Sequence, residues 1–319
     1  MKMRILVTGG AGFIGSSTVK LLCDSCYGVI VFDNLSWGYR EFVDKRATFI
    51  KGDLLDARSI AFALKGVDRV FHFAATSIIK RSIDDPVGCF TNNINGLINL
   101  LEGMRKNKVD YIVSSSSASV YGEPEVIPVT EDSRKAPMQP YGASKLAAEA
   151  VLSGYYHSYG INSTSLRYFN AYGPRDEQIP ITRAVPRWIK ATLHGDPITL
   201  YWKGMQLRDY VFVDDIAQAH IDVMDLKGCN YFNIGTGKGV IMKELLENIF
   251  ETVGKRTKVL DLGKRLGDPH KLIADTSKIR HAVGWKPKVN LAKGIKITVD
   301  YYKNNKPPNG RVRKVSKES

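Results

Sequence analysis

Nowhere in this 319-residue chain does an apolar run reach the roughly 18 residues that a membrane-spanning helix requires. Cysteine is scarce. Cys23 and Cys26 form a single CxxC, while Cys89 and Cys229 stand alone. A four-ligand zinc site needs a second pair and a disulfide framework needs more, so these thiols read as small apolar side chains in a reducing compartment. The histidines His72, His157, His194, His220, His270 and His281 show no ligand spacing, and no metal is expected. Acidic residues are outnumbered, 32 against 46 Lys plus Arg, which gives a formal charge of +14 and a pI of about 9.5. Zinc-finger spacing and aromatic RNP-like runs are both missing, so nucleic acid is not an expected partner; a phosphate-bearing small molecule suits the charge. Part of the excess is local, since Lys303, Lys306, Arg311, Arg313, Lys314 and Lys317 face only Glu318 in a 303–319 tail expected to be disordered. Met1 to Arg4 run straight into Ile5-Leu6-Val7 with no apolar leader or small-residue cleavage site, so a cytoplasmic location without membrane partners is expected.

What is present is ordinary globular material, 44% hydrophobic and 24% charged, in a chain long enough to bury its own core. Short β-rich runs at 4–8, 28–33, 48–51, 69–73 and 110–114 alternate with helical patterns at 13–23, 56–64 and 86–104. A further helix at 140–159 precedes an apolar strand at 164–169. Strand and helix in alternation imply βαβ crossovers, hence a parallel sheet wound on both faces. Past Asn170 the alternation loosens, with elements expected at 183–194, 198–201, 243–252 and 276–283, and with returns to the main sheet near 209–235.

Thr8-Gly9-Gly10-Ala11-Gly12-Phe13-Ile14-Gly15 follows the first strand and opens the first helix. Its glycines satisfy G-x-x-G-x-x-G, and from Gly10 also G-x-G-x-x-G, which permits a tight turn and close backbone approach to a pyrophosphate. The helix N-terminus adds free N–H donors and the positive end of a dipole. Asp33 ends the second strand near the roughly 20-residue spacing of a ribose-binding acid, and a carboxylate there repels a 2′-phosphate. NAD is therefore favoured over NADP. Tyr141 and Lys145 lie i and i+4 in Pro140-Tyr141-Gly142-Ala143-Ser144-Lys145, sharing one helix face. An ammonium beside the phenol is expected to bring its pKa toward neutrality, so that the phenolate takes a hydroxyl proton while hydride leaves the same carbon. The serines Ser114 to Ser117 and Ser119 follow a strand whose C-terminal end is where a doubly wound sheet binds ligands, and one hydroxyl there can hold the reacting oxygen. No G-x-S-x-G elbow supports a serine hydrolase.

With these motifs the chain resembles the extended short-chain dehydrogenase/reductases, specifically their NAD-dependent nucleotide-sugar epimerases. Further matches are Asp33-Asn34-Leu35-Ser36-Trp37-Gly38, Lys51-Gly52-Asp53-Leu54, His72-Phe73-Ala74-Ala75, the stretch around Asn92, Arg167 to Arg175, Gln206 to Tyr210, Asn233 to Gly237 and Arg265 to Pro269. The resemblance implies an α/β fold: a doubly wound parallel-sheet Rossmann domain over 1–169, with a smaller C-terminal α/β substrate-binding domain over 170–302. It also implies an NAD site drawn from Gly9, Gly12, Phe13, Ile14, Gly15, Asp33, Asn34, Asp53, Leu54, Phe73, Ala74, Ala75, Asn92, Tyr141, Lys145 and Tyr168. Asp53 and Leu54 would hold the adenine, and Lys145 the nicotinamide ribose. Ser117, Tyr141 and Lys145 would be catalytic. Asn170, Arg208 and Arg265 would hold the substrate diphosphate, Asp268 the nucleoside ribose, and Tyr201 the base; guanidinium forks suit phosphate oxygens in any case. The helices at 86–104 and 140–159 resemble the family's dimer-forming bundle, so a homodimer is expected.

Ser117-Ala118-Ser119 separates reactions within the family. Dehydratases resemble one another in Thr-Asp-Glu there, because eliminating water needs an acid and a base, and decarboxylating relatives keep a glutamate at the last position. With neither, the expected reaction is reversible hydride transfer: C4 epimerisation of a UDP-hexose, plain or N-acetylated, through a 4-keto sugar. UDP-glucuronate, a one-way reductase or dehydratase, and a non-catalytic NAD-binding regulator stay open as alternatives. Leu272 stands where the family distinguishes plain from N-acetyl sugars and would leave room for an acetamido group.

Overall fold

Along the first two strands the apolar side chains alternate between two cores: Ile5, Val7, Val29 and Val31 belong to one, Leu6, Ile30 and Phe32 to the other. A sheet apolar on both faces has to be covered on both. The computed structural model describes residues 2–177, 181–263 and 269–308. In chain order it begins with β1 (Arg4–Thr8), α1 (Phe13–Asp24), β2 (Gly28–Asp33), β3 (Thr48–Lys51), α2 (Ala57–Ala63), β4 (Arg69–His72), α3 (Ile79–Asp84) and α4 (Pro86–Phe90). Then come α5 (Gly96–Asn107), β5 (Tyr111–Ser117), α6 (Pro140–Tyr159), β6 (Asn162–Tyr168), β7 (Asn170–Tyr172), α7 (Ala184–His194), β8 (Ile198–Leu200) and β9 (Leu207–Phe212). The remainder is α8 (Val213–Asp222), β10 (Cys229–Ile234), β11 (Gly239–Ile241), α9 (Met242–Val253), β12 (Val259–Asp261), β13 (Lys271–Leu272), α10 (Ser277–Val283) and α11 (Leu291–Asn304).

Seven strands form one parallel sheet in the order β10-β6-β5-β4-β1-β2-β3. The order reverses between β1 and β4, which opens a crevice at the carboxyl ends of these strands. Val19 and Leu22 of α1 and Ile216 and Ala219 of α8 cover one face. Ile60 of α2, Leu97 and Leu101 of α5, and Ala148 and Leu152 of α6 cover the other. A third core joins Trp188 and Ile189 of α7 to Leu245 and Ile249 of α9 and to Ile295 and Val299 of α11, beside β9, which pairs with β7, β11 and β13. No described helix is long and apolar enough to cross a membrane.

Several elements depart from the sequence-based expectation, and α3, β7, β11, β12 and β13 have no counterpart in it. β5 runs through Ser117, because Ser114 to Ser117 pair with Ser165 to Tyr168 of β6. The helix expected over 86–104 is two helices joined by a wide turn at Thr91–Asn95. That turn carries Asn93 inward, where its amide accepts from Thr76 N at 2.7 Å and donates to Ser144 Oγ at 2.9 Å. Of the 209–235 stretch, β10 sits at the edge of the main sheet, whereas β9 lies in the smaller sheet and only α8 packs back onto α1. The sequence analysis identifies no helix at α11, although Asn290 caps it by accepting from Lys293 N at 2.9 Å. The tail expected to be disordered over 303–319 starts inside α11, where Lys303 and Asn304 complete the last turn, and its residues 309–319 lie outside the described residues.

His72 and His220 are core side chains. His72 Nδ1 meets Thr8 Oγ1 at 2.8 Å, and burial holds its pKa down to about 3. His220 Nδ1 lies 2.9 Å from the Ile216 carbonyl, which only accepts, so Nδ1 carries the proton and Nε2 accepts from Tyr168 Oη at 2.8 Å. Burial holds the His220 pKa down to about 4. An unfolded histidine protonates near 6.5, so acid favours the unfolded chain between that pH and about 4. The stability tied to His220, about 3 kcal/mol, is full above pH 6.5 and is lost as pH falls toward 4. His72 adds a slope of the same sign, so thermal unfolding between pH 4 and 7 should show the sum, and His220→Gln should reduce it by about half.

Candidate functional site

The carboxyl ends of the strands open onto a cleft of about 590 Å³, lined from the far side by residues of β7, α7, β9 and the β8–β9 loop. Its floor is the β1–α1 turn. Gly9 has φ +72°, and a Cβ there would lie 2.5 Å from Ala74 N; a Cβ at Gly15 would lie 2.3 Å from Gly9 O. Both glycines are therefore demanded by backbone packing. Gly12 differs: a Cβ would meet only Gly9 O at 3.3 Å and otherwise project into space along the cleft. No side chain caps α1 and its first turn has no acid, which leaves backbone N–H donors for an anion. These features fit a dinucleotide pyrophosphate.

Gly9, Gly12, Phe13, Ile14, Asp33, Asn34, Leu54, Phe73, Ala74, Ala75, Asn92 and Tyr168 all line the cleft. Gly15 and Asp53 do not. Gly15 sits within α1, and the Asp53 carboxylate accepts from Asn34 Nδ2 at 2.8 Å and Leu55 N at 2.9 Å, bracing the wall behind Leu54. Asp33 is buried, accepting from Ala11 N at 3.0 Å and Leu35 N at 2.8 Å. Its negative charge thus lies against the wall where a ribose would rest.

Tyr141, Lys145 and Ser117 converge across the cleft, on α6 and the end of β5. Pro140 opens α6 in the first-turn position, placing Tyr141 and Lys145 one turn apart on the face toward the sheet. Ser117 stands close enough to the Tyr141 phenol to lower its pKa and donates to Ser119 Oγ at 3.0 Å. Lys145 is buried and donates to Ser115 O at 2.7 Å and Ser115 Oγ at 3.1 Å. Here the electrostatic expectation needs correcting. Burial raises the Tyr141 pKa, and what pulls it back is the Ser117 hydrogen bond and the Arg183 charge, not Lys145. Lys145 is itself pushed down to about 8 by burial, with its donors turned to Ser115.

Asn170, Tyr201 and Arg208 line the opposite part of the cleft. Arg208 is buried, donating to the carbonyls of His270 at 3.2 Å and of Pro269. Arg265 and Asp268 lie outside the described residues. Leu272, expected beside the sugar, is buried among Ala118, Val120, Tyr121 and Phe169 and does not line the cleft. Among the wall residues to which the sequence reading gave no role are Trp37, Arg81 and Arg183. Trp37 lies four residues past Asp33 in the loop already marked by its acid, so its position was discoverable. Arg81 and Arg183 are placed by tertiary contacts alone; Arg183 stands over Phe13, 5.5 Å from the ring centroid, and pairs with Asp176 at 2.6 Å. Among the described residues each carboxylate on the wall has a partner: Asp33 as above, Asp85 capping α4 through Gly88 N at 2.8 Å, and Glu177 paired with Lys190.

The turn makes a test. Gly15→Ala should cost roughly 1–3 kcal/mol of stability, because both nearest contacts are backbone, whereas Gly12→Ala should leave thermal unfolding unchanged and weaken dinucleotide binding. Thermal melts and NAD titrations of the two variants check this.

Comparison with known proteins places this cleft. The profile of the GDP-mannose 4,6 dehydratase family matches residues 6–298. The UDP-glucose 4-epimerase of Lactobacillus helveticus is 37% identical over 305 residues, spanning 90% of this chain and 92% of that protein. The solved structure of Thermus thermophilus UDP-glucose 4-epimerase in complex with NAD is 40% identical, with TM-score 0.88 over 95% of this chain and 99% of that one. UDP-N-acetylglucosamine 4-epimerase from Methanobrevibacter ruminantium, solved with UDP-N-acetylmuramic acid, is 34% identical, with TM-score 0.90 over 95% and 99%.

Proposed function

The chain belongs to the GDP-mannose 4,6 dehydratase family, within the extended short-chain dehydrogenase/reductases, and we propose that it epimerises a UDP-hexose at C4 with NAD as resident cofactor, in the cytoplasm. One observation carries the choice of reaction: Ser117 and Tyr141 meet over the cleft with Ser119, and no carboxylate beside them, among the described residues, is left without a partner. Dehydration needs a free acid and base there; inversion at C4 does not.

NAD, when bound, supplies the reversible oxidation at sugar C4 and a positive charge beside the phenol. The chain's residues do the rest. Gly12 and the start of α1 seat the pyrophosphate, and Asp33 takes the adenosine ribose. Tyr141 Oη accepts the proton of the C4 hydroxyl, and Ser117 holds that oxygen in line. Burial raises the pKa of the phenol, and positive charge brought beside it would favour the phenolate that acts as base. Lys145, fixed on Ser115, presents its ammonium to the nicotinamide ribose. Asn170, Tyr201, Arg208, Arg265 and Asp268 grip the UDP portion, leaving the sugar free to turn its other face once C4 is a ketone. The proton then returns from Tyr141 to the same oxygen.

Proton NMR of the purified protein with UDP-glucose, UDP-galactose, their N-acetyl forms and UDP-glucuronate, each with and without NAD, tests the reading. The 4-epimer should appear from a UDP-hexose, and Tyr141→Phe should slow it roughly a hundredfold to ten-thousandfold. NAD binding with no epimer from any of these sugars would overturn it.

We also propose a homodimer, joined across the helices within 86–104 and α6. Val87 of α4 is 74% exposed, an apolar cost that a second copy removes. Sedimentation should give a dimer, and Val87→Asp a monomer.

A further inference from the structure

Above the glycine turn, two side chains with no part in the reaction meet. Arg81 of α3 lays its guanidinium over the Trp37 ring, 4.2 Å from the centroid. Trp37 belongs to the loop leaving β2 and Arg81 to the segment leaving β4, and these strands flank β1 on either side. A contact between loops from the two flanking strands must cross over the end of the strand between them. That end is the Gly9–Gly15 turn, and Trp37, Arg81, Gly9 and Gly12 line one cleft.

Both banks are braced. On one, Leu35 N donates to Asp33 Oδ1 at 2.8 Å, Ser36 N to Asn34 Oδ1 at 2.8 Å, and Tyr39 N to Ala11 O at 2.9 Å. Gly38 is packed so closely that a Cβ would lie 2.8 Å from Ala11 backbone atoms, which ties the Trp37 loop to the glycine turn itself. On the other bank, Ser82, next to Arg81, accepts from Tyr141 N at 3.2 Å and donates to Ile79 O at 2.7 Å. The short helix carrying Arg81 is thereby joined to the start of the helix carrying the reactive phenol. A stacked guanidinium keeps its in-plane N–H donors for phosphate oxygens, so Arg81 can hold the indole and a pyrophosphate together.

We propose that Trp37 and Arg81 form a clasp over the dinucleotide on the glycine turn, and that parting of this pair limits the rate at which the cofactor leaves. The inference rests on the NAD reading above. It deepens that reading: a reaction with no net redox turnover gains by keeping its cofactor between cycles, and the clasp is how this chain keeps it.

The test uses the full chain loaded with radiolabelled NAD and chased with excess unlabelled NAD, with retained label followed by filtration. Trp37→Ala and Arg81→Ala should each speed release roughly two- to thirtyfold. The double variant should be no faster than the quicker single one, since both remove one contact. Trp37→Phe, which keeps a ring and disturbs the loop least, should release NAD at a rate between wild type and Trp37→Ala. Wild-type release rates in the single variants, or fully multiplicative effects in the double, would overturn the clasp alone. A wild-type protein that binds no NAD would overturn the cofactor reading and the clasp together.

Discussion

A buried ion pair sets the register on which the reactive groups depend. Glu149 follows Tyr141 and Lys145 by whole turns of α6, so the three share the face turned to the sheet. Its carboxylate takes a two-pronged contact from Arg167 of β6, Nε to Oε1 at 2.9 Å and Nη2 to Oε2 at 2.7 Å, and a third bond from Ser116 of β5 at 2.6 Å. Both side chains are about 95% buried, and their multiple bonds to one another and to neighbours offset the loss of water. Arg167 also donates to Tyr121 Oη at 2.8 Å and Glu131 O at 3.1 Å, and Asn233 of β10 answers both of those residues. One carboxylate thus holds a helix, three strands and a loop in a single alignment. Sliding α6 by one residue would break the bonds of Glu149 to Arg167 and Ser116 and take Tyr141 from Ser117.

Within that rigid frame, burial sets the electrostatics of the cleft. The phenol is held above its ordinary pKa and the neighbouring ammonium below its own, both by loss of water. Charge brought by a bound nicotinamide would favour the phenolate, while the ammonium stays fixed on Ser115.

Much of this was legible in the sequence where local rules decide. Strands β1 to β3 begin and end where apolar alternation meets glycine or acid, and α6 starts at Pro140 and stops before Gly160 with φ +71°. The glycine turn, Asp33 and the Tyr141–Lys145 spacing are signals of the same local kind. What escaped is decided by distant partners. The serines of β5 look like loop until β6 is placed beside them, and the turn at Thr91–Asn95 exists because Asn93 reaches Thr76 and Ser144. Leu272 was assigned to the sugar from its position in a motif, yet β13 pairs with β9 and turns it into a hydrophobic cluster. The helical rule brought Lys145 near the phenol correctly, but only the fold reveals that Ser115 occupies its donors.

The outermost strand of the large sheet, β10, comes late in the chain. It is separated from its neighbour β6 by β7, α7, β8, β9 and α8, which build much of the other half of the cleft. The emerging chain can lay down six strands in sequence but must make most of the substrate-facing part before the seventh exists. Until residue 234 is synthesised, β6 presents a bare edge of unpaired amides and carbonyls. The two halves therefore mature as one cooperative unit, and a chain cut after β6 would be left with an open, adhesive edge in place of a finished nucleotide-binding half.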